Sequence, residues 1–197
     1  GAAGGYFADY EGSDDYDLKP FPLIRASWRD IVSIGSVGGS GLQIKFLTIK
    51  GPTPKDHLVL SASLGYFGGR KEDDHEALQG LGDIDGGATS KLSAAYQIQN
   101  FGVNFSAGRD LSGDREGVTL NTGVQYTFNF GSPKTQLTLG SSATWADDNY
   151  MKNMFGISTN QVTNAIASYS VYSAASGIKD IGVSVFVKKK TAYEIHQ

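Results

Sequence analysis

The feature that most constrains this chain is a strict period-two alternation of apolar and polar residues over Val118–Phe130. In a β-strand, alternate residues point to opposite faces, so this segment has one apolar face and one polar face. Its length exceeds the ~5–6 residues usual for a globular strand. It is sufficient for the ~9–11 residues of a tilted strand that crosses a membrane. The pattern therefore predicts a membrane-crossing β-strand.

The same alternation recurs along the chain. The longer stretches are 58–66, 91–98, 101–108, 136–145 and 181–188, and shorter ones lie near 1–9, 19–27, 31–37 and 41–49. Their polar positions are mostly Gly, Ser, Thr, Asn and Gln, which suit the crowded interior of a narrow barrel. Aromatic residues gather at strand ends, as in the interfacial girdles of membrane barrels. A soluble lipocalin-like barrel or sandwich is the alternative, although its wet face normally carries more charge.

The connections alternate between short and long. Short turns are predicted at 27–30, 50–55, 99–100 and 131–134, and long polar loops at 10–17, 68–85, 110–117 and 146–177. Outer-membrane barrels have this asymmetry, with short periplasmic turns and long extracellular loops. We therefore predict one all-β domain over 1–197, an antiparallel up-and-down transmembrane β-barrel of about 10–12 strands.

Composition excludes several other classes. The chain has no cysteine, so it forms neither disulfides nor thiolate metal sites. A net charge of −3 without a basic stripe predicts no nucleic-acid partner. No apolar run approaches the ~20 residues of a membrane-spanning helix. The opening GAAGGYFADY lacks the features of a signal peptide, so we expect a mature form.

Carboxylates cluster in the predicted long loops. The clusters are Asp14 with Asp15, Glu72 to Asp74, Asp83 with Asp85, and Asp147 with Asp148. Such oxygen ligands could bind divalent cations or contact cation-bridged lipopolysaccharide. The spacing of a calcium-binding loop is absent, which favours solvated loops shaped by turn-forming Asp and Gly. We expect no metal site and no cofactor.

An enzyme is not expected either. His75 beside Asp73 and Asp74 could activate water. However, no G-x-S-x-G motif accompanies it, and cysteine is absent. We therefore predict no catalytic residues.

Apolar residues in Tyr150–Ile166 have a spacing that allows a short amphipathic helix in the last long loop. Such a helix could fold inward as a plug or offer a surface to a partner. Packing on the barrel rim is the favoured interpretation.

Four loop segments carry a family resemblance. They are YEGSDDY (10–16), FGGRKEDDHEALQGLGDIDGG (67–87), DLSGDREG (110–117) and TWADDNYMKNMFGIS (144–158). In this order they resemble the signature segments of the MipA/OmpV family. The resemblance implies an outer-membrane protein that acts as a scaffold between a lytic transglycosylase and a murein synthase. The loop residues it offers as interaction candidates are Tyr10, Glu11, Asp14, Asp15, Asp73, Asp74, Asp83, Asp85, Asp110, Asp147, Asp148 and Phe155.

The chain departs from that family at VKKKTAYEIHQ, where members usually continue to a final strand ending in an aromatic residue. A barrel cannot leave an open edge in lipid, so we expect this chain to lack its closing strand or strands. An eleventh strand is predicted to begin near Ala192.

Several alternatives stay open. A small-solute channel would use Lys45, Lys91 and Lys188, which alternation places on the inner face and which would favour anions. A surface adhesin or receptor would use the acidic loops. Outer-membrane lipid and lipopolysaccharide are expected contacts, and a homo-oligomer is a further possibility.

Overall fold

The computed structural model describes residues 2–13, 15–22, 24–35, 41–130 and 135–189. The strands are β1 Ala2–Ala8, β2 Tyr16–Pro22, β3 Arg25–Trp28, β4 Val32–Gly35, β5 Gly41–Lys50, β6 His57–Phe67, β7 Gly87–Ile98, β8 Phe101–Asp110, β9 Val118–Asn129, β10 Thr135–Ala146 and β11 Gly177–Lys189. Two short helices follow β10, namely α1 Asp148–Phe155 and α2 Thr159–Asn164. Within the described ranges, no helix is both long enough and apolar enough to cross a membrane.

The strands form an antiparallel meander. β3 to β11 make one nine-stranded sheet in which each strand pairs with the next along the chain. β1 and β2 form a separate two-stranded hairpin. The predicted all-β, antiparallel up-and-down architecture is confirmed. In the part of the chain that the structure describes, the two sheets do not join into a closed ring. The strand predicted near Ala192 and the turn predicted at 131–134 lie outside the described residues.

One predicted strand is two strands in the structure. The prediction of a single strand over 19–27 is wrong, because β2 ends at Pro22 and β3 begins at Arg25. Pro20 and Pro22 have no N–H to donate to a ladder, so this segment cannot be paired on both sides. The chain therefore leaves the hairpin at the second proline and enters the large sheet at Arg25.

The first short turn is also displaced from its predicted position at 27–30. β3 continues to Trp28, and the reversal uses Arg29 and Asp30, both with positive φ of 52° and 53°. The amide of Ile31 closes the turn by donating to the Trp28 carbonyl at 3.1 Å. This turn requires a left-handed backbone conformation, which Asp tolerates better than a β-branched residue does. The number of turn-forming residues in the segment does not show which of them adopt this conformation.

Burial in the large sheet is inverted relative to a soluble protein. The apolar positions of the alternation lie on one face of the large sheet and are exposed; Val183 is 83% exposed and Leu92 is 61% exposed. We call the opposite, polar face the inner face. Ser61 and Ser106 lie on the inner face and are buried. The apolar face of the sheet therefore has no protein layer over it in the described residues.

Small and large polar residues interlock on the inner face. A Cβ added to Gly102 would lie 2.7 Å from the Gln97 side chain and 3.0 Å from that of Gln125. A Cβ on Gly123 would lie 2.7 Å from the side-chain oxygen of Asn104. At these positions a larger residue would require the neighbouring amide side chains to move. This interlocking explains why the polar face consists of small residues alternating with amides, as expected inside a narrow barrel.

Two short turns are joined by a buried carboxylate. Asp56 accepts hydrogen bonds from the backbone amide of Gln99 at 2.8 Å and from that of Thr53 at 3.1 Å. The bond from Gln99 is the main reason that the pKa of Asp56 lies below its usual value. The ionised carboxylate of Asp56 therefore links the β5–β6 turn to the β7–β8 turn.

This link predicts a pH dependence. A carboxyl whose folded-state pKa is depressed stabilises the fold above its unfolded pKa of about 3.9, and the stabilisation is lost as pH falls through the lower folded value. We expect Asp56→Asn to lower the melting temperature at pH 7 and to remove part of the acid sensitivity of the wild type below about pH 4. Melting curves of both proteins between pH 2 and pH 7 test this. Parallel curves over the whole range would contradict it.

Candidate functional site

The long loops pack together into one structure, which we call the crown. It consists of the described residues of 9–15, 68–86, 111–117 and 147–176. Its apolar centre contains Ile84, Tyr150 and Met154, with Ala146 from the end of β10. Partly buried Phe67, Met151 and Phe155 pack against them. The apolar core that a soluble domain would form against its sheet is thus formed here among the loops.

The helix predicted over 150–166 is interrupted. α1 ends at Phe155 because Gly156 takes an extended conformation, and α2 begins only at Thr159. Each helix has its own N-cap: Asp147 accepts a hydrogen bond from the amide of Tyr150 at 2.9 Å, and Ser158 accepts one from that of Gln161 at 3.3 Å. The two caps fix two separate helix starts. α1 buries Tyr150 and Met154, four residues apart, on the face that contacts the crown core.

One carboxylate of the first loop contacts both the last loop and β11. Glu11 accepts a hydrogen bond from the Tyr150 hydroxyl at 2.9 Å and forms an ion pair with the Lys179 ammonium at 3.1 Å. Burial, followed by the charge of Glu11, raises the pKa of Tyr150 to about 12. The phenol therefore stays protonated at physiological pH and acts as the donor. Lys179 also pairs with Asp180 at 2.8 Å.

A second pair joins the crown to the end of β8. The Arg115 guanidinium donates two hydrogen bonds to Asp110, at 2.9 Å and 2.6 Å. The same guanidinium stacks over the rings of Phe67, at 3.9 Å, and Tyr150, at 5.0 Å. The Arg115 and Asp110 side chains are 13% and 7% exposed. Such a bidentate, stacked pair fixes one geometry and binds the β8–β9 loop to α1.

The acidic residues of 68–86 hold their own loop together. Asp83 accepts hydrogen bonds from the Lys71 ammonium at 2.8 Å and from the backbone amide of Glu72 at 2.9 Å. The bond from Lys71 is the main reason that the pKa of Asp83 is lowered. Asp85 lies 3.8 Å from the same ammonium, and Asp74 accepts from the amide of Lys71 at 2.9 Å. These carboxylates are already engaged within the chain.

The remaining predicted interaction residues lie in different environments. The ring of Tyr10 is 5.2 Å from that of His75, and the carboxylate of Asp15 is 3.8 Å from the Nε2 of His75. Asp148 accepts a hydrogen bond from the Ser176 amide at 2.6 Å. The partly buried Phe155 and the exposed Asp73 complete the described set, and Asp14 lies outside the described residues. Among the described residues, no group of three or more His, Asp or Glu side chains could hold a metal ion.

Two cations that organise the crown, Arg115 and Lys179, were not predicted from the sequence. Each has one partner nearby in the chain, Asp110 for Arg115 and Asp180 for Lys179, but the contacts that join separate loops are remote in sequence. Glu11 and Lys179 are 168 residues apart. The only available signal was that Arg115 lies within DLSGDREG, one of the segments that carry the family resemblance.

The crown and the inner face of the sheet share a polar cavity of about 370 Å³. Its wall includes Arg115 and Tyr150 of the crown together with Lys91, Asp110 and Lys179 of the strands. Crown residues therefore lie against the inner face at this cavity.

Comparison with protein families gave one match. The family described as MltA-interacting protein MipA matches residues 1–194. The chain belongs to the MipA family. The resemblance in the four loop segments is thereby confirmed. Neither a search of curated proteins nor a search of solved structures gave a match.

One change tests whether Glu11 attaches the first loop to the rest of the crown. In Glu11→Gln the charge that Lys179 faces is removed, and the bond from Tyr150 becomes one between neutral groups. Hydrogen bonds to charged groups contribute about 1.5–3 kcal/mol, and the partial exposure of Glu11 reduces this to about 1 kcal/mol. We expect protease cleavage within 9–15 to become about fivefold faster. Asp73→Asn, on the exposed surface of the crown, is the matched control and should leave the rate unchanged; equal rates in both variants and the wild type would contradict the assignment.

Proposed function

We propose that this chain is an integral outer-membrane protein with no catalytic activity, which serves as a binding partner of the murein machinery. The observation that carries the membrane assignment is the inverted burial of the sheet, with apolar side chains exposed and small polar side chains enclosed. Alternating apolar and polar faces of this kind are the pattern of outer-membrane barrels. In water, an exposed apolar surface of this extent would favour aggregation.

The arrangement of loops supports an orientation. The long loops form the crown at one end, and the turns at 29–31, 51–56 and 99–100 are short. Outer-membrane barrels place short turns in the periplasm and long loops outside the cell. In this orientation the short-turn end faces the murein layer, and the crown faces the exterior.

The partner is inferred from the family. Its description names a protein that interacts with MltA, and a lytic transglycosylase is accordingly the partner that we propose for this chain. The contact would lie at the short-turn end, where Arg29 and Lys55 are exposed and the buried Asp56 fixes the turn conformations. A murein synthase would be a second partner of the same assembly.

The experiment has two independent parts. Outer-membrane insertion is tested by cell fractionation and by heat-modifiable migration of the full chain. Partner binding is tested by capture of a purified lytic transglycosylase on the folded protein, with an unrelated barrel of similar size as the reference. We expect enrichment over the reference and its loss in the double variant Arg29→Glu/Lys55→Glu. The crown variant Asp73→Lys should bind normally.

The two parts fail separately. A chain found outside the outer-membrane fraction would refute the membrane assignment. Correct insertion with capture no greater than that of the reference barrel would refute the scaffold role and leave the membrane assignment standing.

A further inference from the structure

Cationic side chains from three separate elements converge on one cavity of the inner face. The cavity has a volume of about 250 Å³ and lies against β3 to β7, beneath the crown. Its wall includes Arg25 of β3, Lys91 of β7 and Arg115 of the β8–β9 loop. No Asp or Glu belongs to the described residues that line it. The cavity is therefore positively charged.

The three cations differ in how far their charge is balanced. Arg115 is neutralised by Asp110, to which its Nε and one Nη donate. Arg25 donates to the hydroxyl of Ser33 at 3.3 Å, which supplies an acceptor but no opposite charge. Within the described part of the chain, Lys91 has no ion pair. Two positive charges thus face the cavity without a compensating carboxylate.

The remaining lining supplies hydrogen-bonding groups for an anion. Ser33, Gln43, Ser63 and Thr89 contribute hydroxyl and amide groups to the same wall. The side chain of Gln43 donates to Ser61 at 3.3 Å and lies 3.5 Å from the Ser33 hydroxyl, so these groups form one connected row. The strand register pairs Lys91 with Ser63 and Gly108, which places it on the inner face.

We propose that this cavity is a binding site for a small oxyanion of the phosphate class, held by Arg25 and Lys91. A phosphate group carries about −1.5 to −2 charges at pH 7, which matches the two unbalanced cations. Guanidinium groups donate to phosphate oxygens in a bidentate manner, and a lysine ammonium adds a strong point charge. The site goes beyond the proposed scaffold function, because it depends only on the inner face and not on a partner at the short turns.

Calorimetric titration of the full chain, folded in detergent, with inorganic phosphate at low ionic strength tests this site. We expect saturable binding to the wild type and at least tenfold weaker binding to Lys91→Gln and to Arg25→Gln. Lys45→Gln is the matched control, because Lys45 is also directed inward, opposite Ser61, but does not line this cavity. Circular dichroism and heat-modifiable migration establish that each variant is folded.

Three outcomes would overturn the proposal. Absence of saturable binding to the wild type would do so, as would an equal loss in Lys45→Gln, which would indicate a diffuse charge effect. Succinate provides the comparison with a dicarboxylate, and binding as tight as that of phosphate would refute the phosphate preference. Glycerol phosphate separates the two sources of the ligand: tighter binding than inorganic phosphate assigns the site to phosphate esters, and weaker binding assigns it to the free ion.

Discussion

Replacing Val124 by lysine is expected to destabilise the protein by about 2–4 kcal/mol when it is folded in phospholipid vesicles. Val124 lies in the middle of β9, is paired on both sides with β8 and β10, and is 46% exposed on the apolar face. In the proposed membrane location, a charge at this position would lie in the hydrocarbon region, where it is neither hydrated nor paired. Equilibrium unfolding in urea measures the difference in free energy from the wild type.

The adjacent residue provides the control. Gln125 lies on the inner face, opposite Gly102 and Gly140. Gln125→Lys directs the same charge toward the polar interior, and we expect a change within about 0.5 kcal/mol, as for ordinary exposed substitutions. In a soluble barrel the apolar face would be in water, and Val124→Lys would then change the stability little. Similar stabilities of the two variants would therefore contradict the membrane assignment.

Removing the Arg115 side chain is expected to cost the crown about 3–5 kcal/mol, because it leaves the Asp110 carboxylate buried without its partner. Asp110 is 7% exposed, and Arg115 donates two hydrogen bonds to its carboxylate and stacks over the rings of Phe67 and Tyr150. We expect Arg115→Met to increase amide hydrogen exchange in 111–117 and in α1, while the exchange of the central strands remains slow. Hydrogen exchange followed by mass spectrometry measures both regions in one experiment.

Two further variants identify the cause. In Arg115→Met/Asp110→Leu the unpaired charge is also removed, so much of the loss should be recovered. Lys71→Met breaks an ion pair at the exposed side of the crown, where the Lys71 side chain is 56% exposed, and should alter exchange little. If Arg115→Met and Lys71→Met had the same effect, the Arg115–Asp110 pair would not be the element that holds the crown.

The strands were predictable because alternation is a local property. The polar and apolar faces of 118–130 and 181–188 follow from neighbouring residues alone, and the observed register over these residues preserves them from β8 to β11. The error over 19–27 arose because the two prolines of β2 cannot donate to a second ladder, so the hairpin strand ends before β3 begins. The two helices of the last loop were merged because the caps at Asp147 and Ser158 and the extended Gly156 were not weighed against the apolar spacing.

The crown was predictable only in part. Its acidic residues were recognised as a group, but what they contact depends on loops that are far apart in sequence. Glu11 meets Tyr150 and Lys179, and Arg70 donates to the carbonyl of Met154, 84 residues away. No spacing rule connects such positions. The carboxylates that looked like free ligands are largely engaged in the chain's own hydrogen bonds.

The sequence by itself determined the β-class, the order of strands, the two faces of the sheet and the family to which the chain belongs. These depend on period-two alternation and on loop segments that are read locally. Only the tertiary structure decided how the four long loops pack into a crown, which cations neutralise its carboxylates, and which cations remain unbalanced on the inner face. The physical reason is that ion pairing and cavity lining depend on distances between strands that are remote in sequence, and those distances exist only after the sheet has formed.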